Sequence, residues 1–128
     1  MALLVPNVGE REMLARILNG SDKSVLHLYK VDKVPAEADV ASGYTEVNTG
    51  GYASISLTAQ WTIGTSDPTE ASYAQVSFDF TGAATVYGYY VTDAANSILL
   101  WAEKFNDGPY NIPSGGGSVK ITPKIQLD

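Results

Sequence analysis

A single histidine, His27, and the absence of cysteine set the limits on the chemistry this chain can perform. Without cysteine there is no thiolate nucleophile, thiolate metal site or disulfide. His27 falls inside a run of strand character, SVLHLYKV from Ser24 to Val31. One imidazole there supplies neither a multi-histidine metal site nor a catalytic triad, and it reads as a strand histidine with a satisfied hydrogen bond. Two carboxylates facing one cleft can hydrolyse a glycoside. Asp79 on a strand, Asp93 in a turn and Glu103 beside Trp101 are candidates, yet no spacing selects a pair. Acids at turns ordinarily cap or terminate strands. Oxygen ligands for calcium occur in Asp32 to Asp39, Asp93 to Asn96 and Asn106-Asp107, none with EF-hand spacing. Gly115-Gly116-Gly117 precedes a strand, so it lacks the helix start of a phosphate cradle and reads as a flexible loop. No cofactor is implied, and an enzyme is the last-ranked reading.

Surface recognition is the better use of these residues. Tyr87 and Tyr89 are expected on one face of a strand with Tyr90 on the other, and Tyr44, Tyr52, Tyr73, Tyr110, Trp61 and Trp101 add to the aromatic pool. Such rings either stack on sugars and anchor partners or pair across strands in a core. The apolar start, Leu3, Leu4, Val5 and Pro6, either tucks into the core or inserts into a neighbour. Six extended residues reach roughly 20 Å. Leu3, Leu4, Val5 and Pro6, with Met13 on the helix that follows and Pro109 and Tyr110 in the loop from Asn106 to Gly117, are the candidate partner-binding residues.

The elements that must position them are mostly strands. One helix is expected from Val8 to Asn19, with Asn7 as N-cap, Glu10 completing a capping box and Asn19-Gly20 as a left-handed stop. Met13, Leu14, Ile17 and Leu18 form its apolar stripe. Period-two runs follow: Ser24 to Val31, Tyr44 to Val47, Tyr52 to Ala59, Trp61 to Ile63, Tyr73 to Phe80, Thr85 to Thr92, Ile98 to Phe105 and Val119 to Leu127. In Tyr73 to Phe80, Ala74, Val76, Phe78 and Phe80 are expected inward. Gly64 to Glu70 reads as a turn, and Ile98 to Phe105 as a strand buried partly on both faces. Pro123 places the last strand at an edge or a bulge. The pattern predicts one mainly β domain, a two-sheet, jelly-roll-like sandwich over residues 24–128, preceded by an arm and helix over residues 1–23.

Composition agrees. The chain has 128 residues, 45% hydrophobic and only 17% charged, enough for one core without staples. A net charge of −6 and scattered basic residues argue against nucleic-acid and anionic-membrane partners. The start is too short for a signal h-region and nothing reaches the length of a membrane span, so a soluble protein made in a cytoplasm is expected.

Five phrases in order, LHLYKVDKVP (Leu26 to Pro35), YTEVNTGGYA (Tyr44 to Ala53), YGYYVTD (Tyr87 to Asp93), LLWAEKF (Leu99 to Phe105) and ITPKIQL (Ile121 to Leu127), resemble small virion proteins of tailed phages. That class includes capsid decoration, or cement, proteins. The resemblance covers most of the chain after about residue 24. It implies a β-sandwich on the outside of a capsid that binds the major capsid protein, locks neighbouring capsomers and assembles as a trimer or dimer. It carries no catalytic residues across. A tail or neck structural protein and a carbohydrate-binding, receptor-binding module are the alternatives.

Overall fold

The computed structural model describes residues 3–20 and 23–127, with the side chain of Leu127 left aside. Met1 and Ala2 of the expected arm, Ser21 and Asp22 of the connection to the first strand, and Asp128 lie outside the described residues. The architecture is mainly β with one N-terminal helix, as the alternation predicts. After helix α1 (Asn7–Leu18) come strands β1 (Ser24–Tyr29), β2 (Ile55–Leu57), β3 (Thr62–Ile63), β4 (Thr69–Ser72), β5 (Val76–Phe80) and β6 (Ala84–Val86). β7 (Gly88–Thr92), β8 (Leu99–Lys104), β9 (Tyr110–Ile112), β10 (Gly117–Ile121) and β11 (Lys124–Leu127) complete the series.

Hydrogen bonding divides these strands into four antiparallel ladders, ordered β2-β1-β7-β8, β10-β5, β11-β4-β3 and β6-β9. They close on one apolar core. Leu26, Leu28, Leu57, Phe78, Phe80, Val86, Tyr89, Val91, Val119 and Ile121 all pack into it, joined by Leu14 and Leu18 of α1. The sandwich-like body is thus assembled from short ladders that share side-chain packing.

β1 is buried along its whole length because both of its faces are covered. Leu26 and Leu28 enter the main core, whereas His27 and Tyr29 alternate to the other side. There Tyr29, Tyr44 and Tyr90 form a second, aromatic cluster, covered by the segment between β1 and β2. Tyr44 to Val47, expected as a strand, makes only a bridge from Glu46 to Tyr29, although Val47 N–H donates to the Leu28 carbonyl at 2.9 Å.

Other boundaries shift for local reasons. Thr85 to Thr92 is two strands broken at Tyr87, so Tyr87 joins the aromatic cluster while Tyr89 enters the main core; the two do not share a face. Part of the expected turn before Ser72 is strand β4, whose Thr69 and Ala71 are fully buried. Of the expected inward set on β5, Phe78 and Phe80 are buried, Val76 is half-buried and Ala74 is exposed. β8 is an edge strand, and it is partly buried on both faces as expected, Trp101 packing on the main core and Leu99 and Ala102 on the aromatic cluster. Its register against β7 passes from Val91↔Trp101 to Thr92↔Leu99, leaving Leu100 as a bulge residue that faces outward. Pro123 sits, fully buried, where the chain leaves β10 for edge strand β11, and its carbonyl accepts the Tyr73 N–H at 2.9 Å. Gly116, at φ +88°, turns tightly against the Phe80 carbonyl, so the triple-glycine run is a fitted turn into β10.

Candidate functional site

α1 departs from its expected form at both ends. Pro6, at φ −65° and ψ 154°, occupies the N-cap, and no side chain caps the helix. Asn7 is the first helical residue. Glu10 turns to the body instead of closing a capping box, accepting the Thr69 hydroxyl at 3.2 Å. Asn19 has φ −105°, so the helix ends without a left-handed residue there. Only Leu14 and Leu18 of the four-residue stripe are buried; Met13 and Ile17 are exposed.

Tertiary contacts explain this arrangement. The Arg11 guanidinium donates to the Thr65 carbonyl at 3.0 Å. Asn19 clamps the Trp61 backbone, accepting its N–H at 2.8 Å and donating Nδ2–H to its carbonyl at 3.0 Å. These contacts, with Leu14 and Leu18, hold one side of α1 to β3 and β4 and turn Val8, Met13 and Ile17 to solvent.

The arm adds further exposed apolar side chains. Leu3 and Leu4 are 93% and 86% exposed, Val5 is half-buried and Pro6 is exposed. Leu3 and Leu4 therefore do not tuck into the core. At the other end of the helix a groove of about 730 Å³ is lined by Ala15, Ile17, Leu18, Asn19, Lys23 and Leu100, among others. Exposed apolar side chains on an arm and its helix are candidates for contact with a partner.

Pro109 and Tyr110 lie elsewhere, along a different groove with Ile112, Ser118 and Lys120. Pro109 is exposed. The Tyr110 ring is half-buried, 4.9 Å from Phe105, and its hydroxyl donates to Asp107, which raises the phenol above its ordinary range. The candidate partner-binding residues thus fall in two places, the arm with α1 and the corner at β9. Of the eight tyrosines, Tyr29, Tyr44, Tyr89 and Tyr90 are buried, while Tyr52, Tyr73, Tyr87 and Tyr110 are half-buried and pack against the two clusters.

The arrangement least visible in the sequence surrounds His27. Its Nδ1 is 2.7 Å from Glu46 Oε1 and its Nε2 is 2.9 Å from the Thr92 hydroxyl. Tyr90 stacks on the imidazole at 4.7 Å. Tyr52 also donates to Glu46 Oε1, at 2.8 Å, and its own pKa is pushed up, by burial first and then by that carboxylate. Glu46, His27 and Thr92 stand in the order of an acid, base and nucleophile. Thr92, however, is 1% exposed, and its hydroxyl is also within 3.0 Å of the Asp93 carbonyl. A small cleft of about 330 Å³, walled by Val40, Ser42 and Asn96, borders His27, Glu46 and Thr92. The imidazole joins β1, β7 and the covering segment, which is the satisfied strand histidine expected. Separations of 19 and 65 residues hid its partners.

The remaining acids are occupied one by one. Asp79 accepts the hydroxyls of Ser118 and Ser77, which lower its pKa. Asp93 accepts the N–H groups of Ile98 and Ser97, closing the turn to β8, and is lowered by them. Glu103 accepts the Tyr89 hydroxyl at 2.8 Å. Asp39 is pushed down to about 2 by the Ala36 N–H, the Lys33 ammonium and the Tyr44 hydroxyl. Among the described residues no three His, Asp or Glu side chains gather as a metal-binding group. Comparison with protein-family models, with curated proteins and with solved structures finds no match.

Proposed function

We propose that this chain is a structural protein of a tailed-phage particle, a capsid decoration protein that binds the major capsid protein on the outer shell. The observation that carries the reading is the arm: two leucines almost wholly in water, leading into a helix that also exposes Val8, Met13 and Ile17. Docking each such side chain is worth about 1.5–3 kcal/mol. A few therefore supply useful affinity, multiplied where copies bind side by side on a lattice. The ordered resemblance to small phage virion proteins supports the same reading, and neighbouring copies of this chain are further partners in it. A non-catalytic role fits the burial of Thr92 and the separate commitments of Asp79, Asp93 and Glu103.

The test is copy number in purified particles of the source virus, measured by quantitative mass spectrometry against the major capsid protein. A ratio within a few-fold of the capsid subunit is expected. A handful of copies per particle moves the protein to the tail or neck, and absence from particles overturns the proposal. Removing residues 2–6 is expected to weaken shell binding while leaving the β body folded by circular dichroism; undiminished binding excludes the arm.

A further inference from the structure

Asn19-Gly20 is the one place in the chain where glycine follows asparagine; the other five asparagines precede Val8, Thr49, Ser97, Asp107 and Ile112. The fold requires both residues. A Cβ at position 20 would stand 2.5 Å from the Arg16 carbonyl oxygen, so no larger residue fits beneath the end of α1. Asn19 supplies one acceptor and one donor to the Trp61 backbone, at 2.8 and 3.0 Å, and pins the end of the helix to the residue before β3. This pair is also the dipeptide in which the side-chain amide is most open to attack by the following backbone nitrogen, because glycine has no side chain to shield it.

We infer that Asn19-Gly20 is a site of spontaneous covalent modification, deamidation through a succinimide, restrained by the docking of α1. The Gly20 backbone nitrogen loses its proton to solvent base and attacks Asn19 Cγ. The new N–Cγ bond forms, the Cγ–Nδ2 bond breaks, and the side-chain nitrogen leaves as ammonia. Water then opens the ring at either carbonyl, giving aspartate or isoaspartate; no oxidant or reductant is needed. Both residues line the groove at the end of α1, which gives water access.

The docked helix opposes the first step. Oδ1 and Nδ2 are both held by Trp61, so Cγ cannot swing onto the Gly20 nitrogen until both hydrogen bonds open. Two such bonds opening together hold the reactive conformer to about a tenth to a hundredth of its free population. After reaction, a carboxylate oxygen replaces Nδ2–H and faces the Trp61 carbonyl, two acceptors without a proton between them. The clamp is lost, leaving α1 on Leu14, Leu18, Glu10 and Arg11. Isoaspartate also lengthens the backbone there. Deamidation is therefore a one-way loosening of the helix that carries the arm.

The experiment incubates the full chain at mildly alkaline pH, folded and in urea, and follows the Asn19 peptide by mass spectrometry. Deamidation at Asn19 is expected to be about ten- to a hundredfold slower in the folded protein. Equal rates, or no reaction at Asn19 even in urea, overturn the inference. Leu18→Ala, in which α1 is less firmly seated, is expected to move the folded rate toward the urea rate. Asn19→Asp, which mimics the product, is expected to increase proteolytic cleavage within α1 while the β body stays folded. An α1 as resistant as in the parent chain refutes the loosening.

Discussion

A methyl group at position 88 would stand 2.5 Å from the Tyr29 hydroxyl oxygen and also press on the Glu103 carbonyl. Gly88 opens β7 opposite Tyr29 in the register with β1, and that tyrosine is fully buried. Neither neighbour can yield without disturbing the aromatic cluster. Gly88→Ala is therefore expected to destabilise the fold by about 1–3 kcal/mol, read as a lower urea midpoint. The His27 site is comparable. His27→Ala strips Thr92 and Glu46 of a buried partner and removes the stack under Tyr90, at an expected cost of about 1–3 kcal/mol. Catalysis predicts a lost activity instead, so an unchanged urea midpoint would contradict the bracing role. Asp39 gives an acid signature. Its pKa in the fold, about 2, lies below the ordinary 3.8. Its contribution is full above the higher value and disappears as pH falls from about 3.8 towards 2. Asp39→Asn is expected to flatten the stability profile in that window, checked by thermal melts across it.

At the scale of elements, the strands were legible where alternation met a core and illegible where pairing depended on distant partners. Phe78 and Phe80 announced β5 because large apolar residues two apart have one stable arrangement in a sandwich. Thr69–Ser72 carries no large apolar residue, so nothing local marked it; it is a strand because β11 and β3 flank it on both edges. Tyr44 and Val47 have strand character yet serve as a lid over β1, held by the Tyr29 cluster and single hydrogen bonds. The helix was legible in its existence and wrong in its caps. Glu10 and Asn19 have capping chemistry, but Thr69 and Trp61 offer tertiary partners that take precedence. For the candidate site, the arm was readable as apolar residues ahead of a helix. The exposure of Met13 and Ile17 followed from which side of α1 meets β3 and β4. Leu14→Ala is accordingly expected to free α1 to proteolysis before the sheets unfold, because its side chain is one of only two from the helix that are buried. Simultaneous loss of helix and sheet signal would show that α1 is integral to the core.

For the molecule as a whole, buried tyrosines link the main core to the aromatic layer beneath the covering segment. Burial, followed by nearby carboxylates, pushes Tyr29 and Tyr90 up to about 12 from the ordinary 10.0. Tyr44, Tyr52 and Tyr89 are pushed higher still, by burial first. Each phenol is easier to ionise in the unfolded chain than in the fold. The stability it contributes is therefore complete below pH 10 and declines as pH rises towards 12 and beyond. Five such groups on both sides of the β1–β7 pairing act in the same direction, so unfolding in base is expected to be steep and cooperative. Phenolate absorbance and near-ultraviolet circular dichroism, followed together in an alkaline titration, should change in one transition for these five residues. Phenolate formation near pH 10 with the dichroism intact would mean that water reaches the aromatic layer without unfolding, and that the segment between β1 and β2 opens as a separate unit. A single transition would instead join the covering segment, the aromatic layer and the main core into one cooperative body, to which the exposed arm is attached through α1.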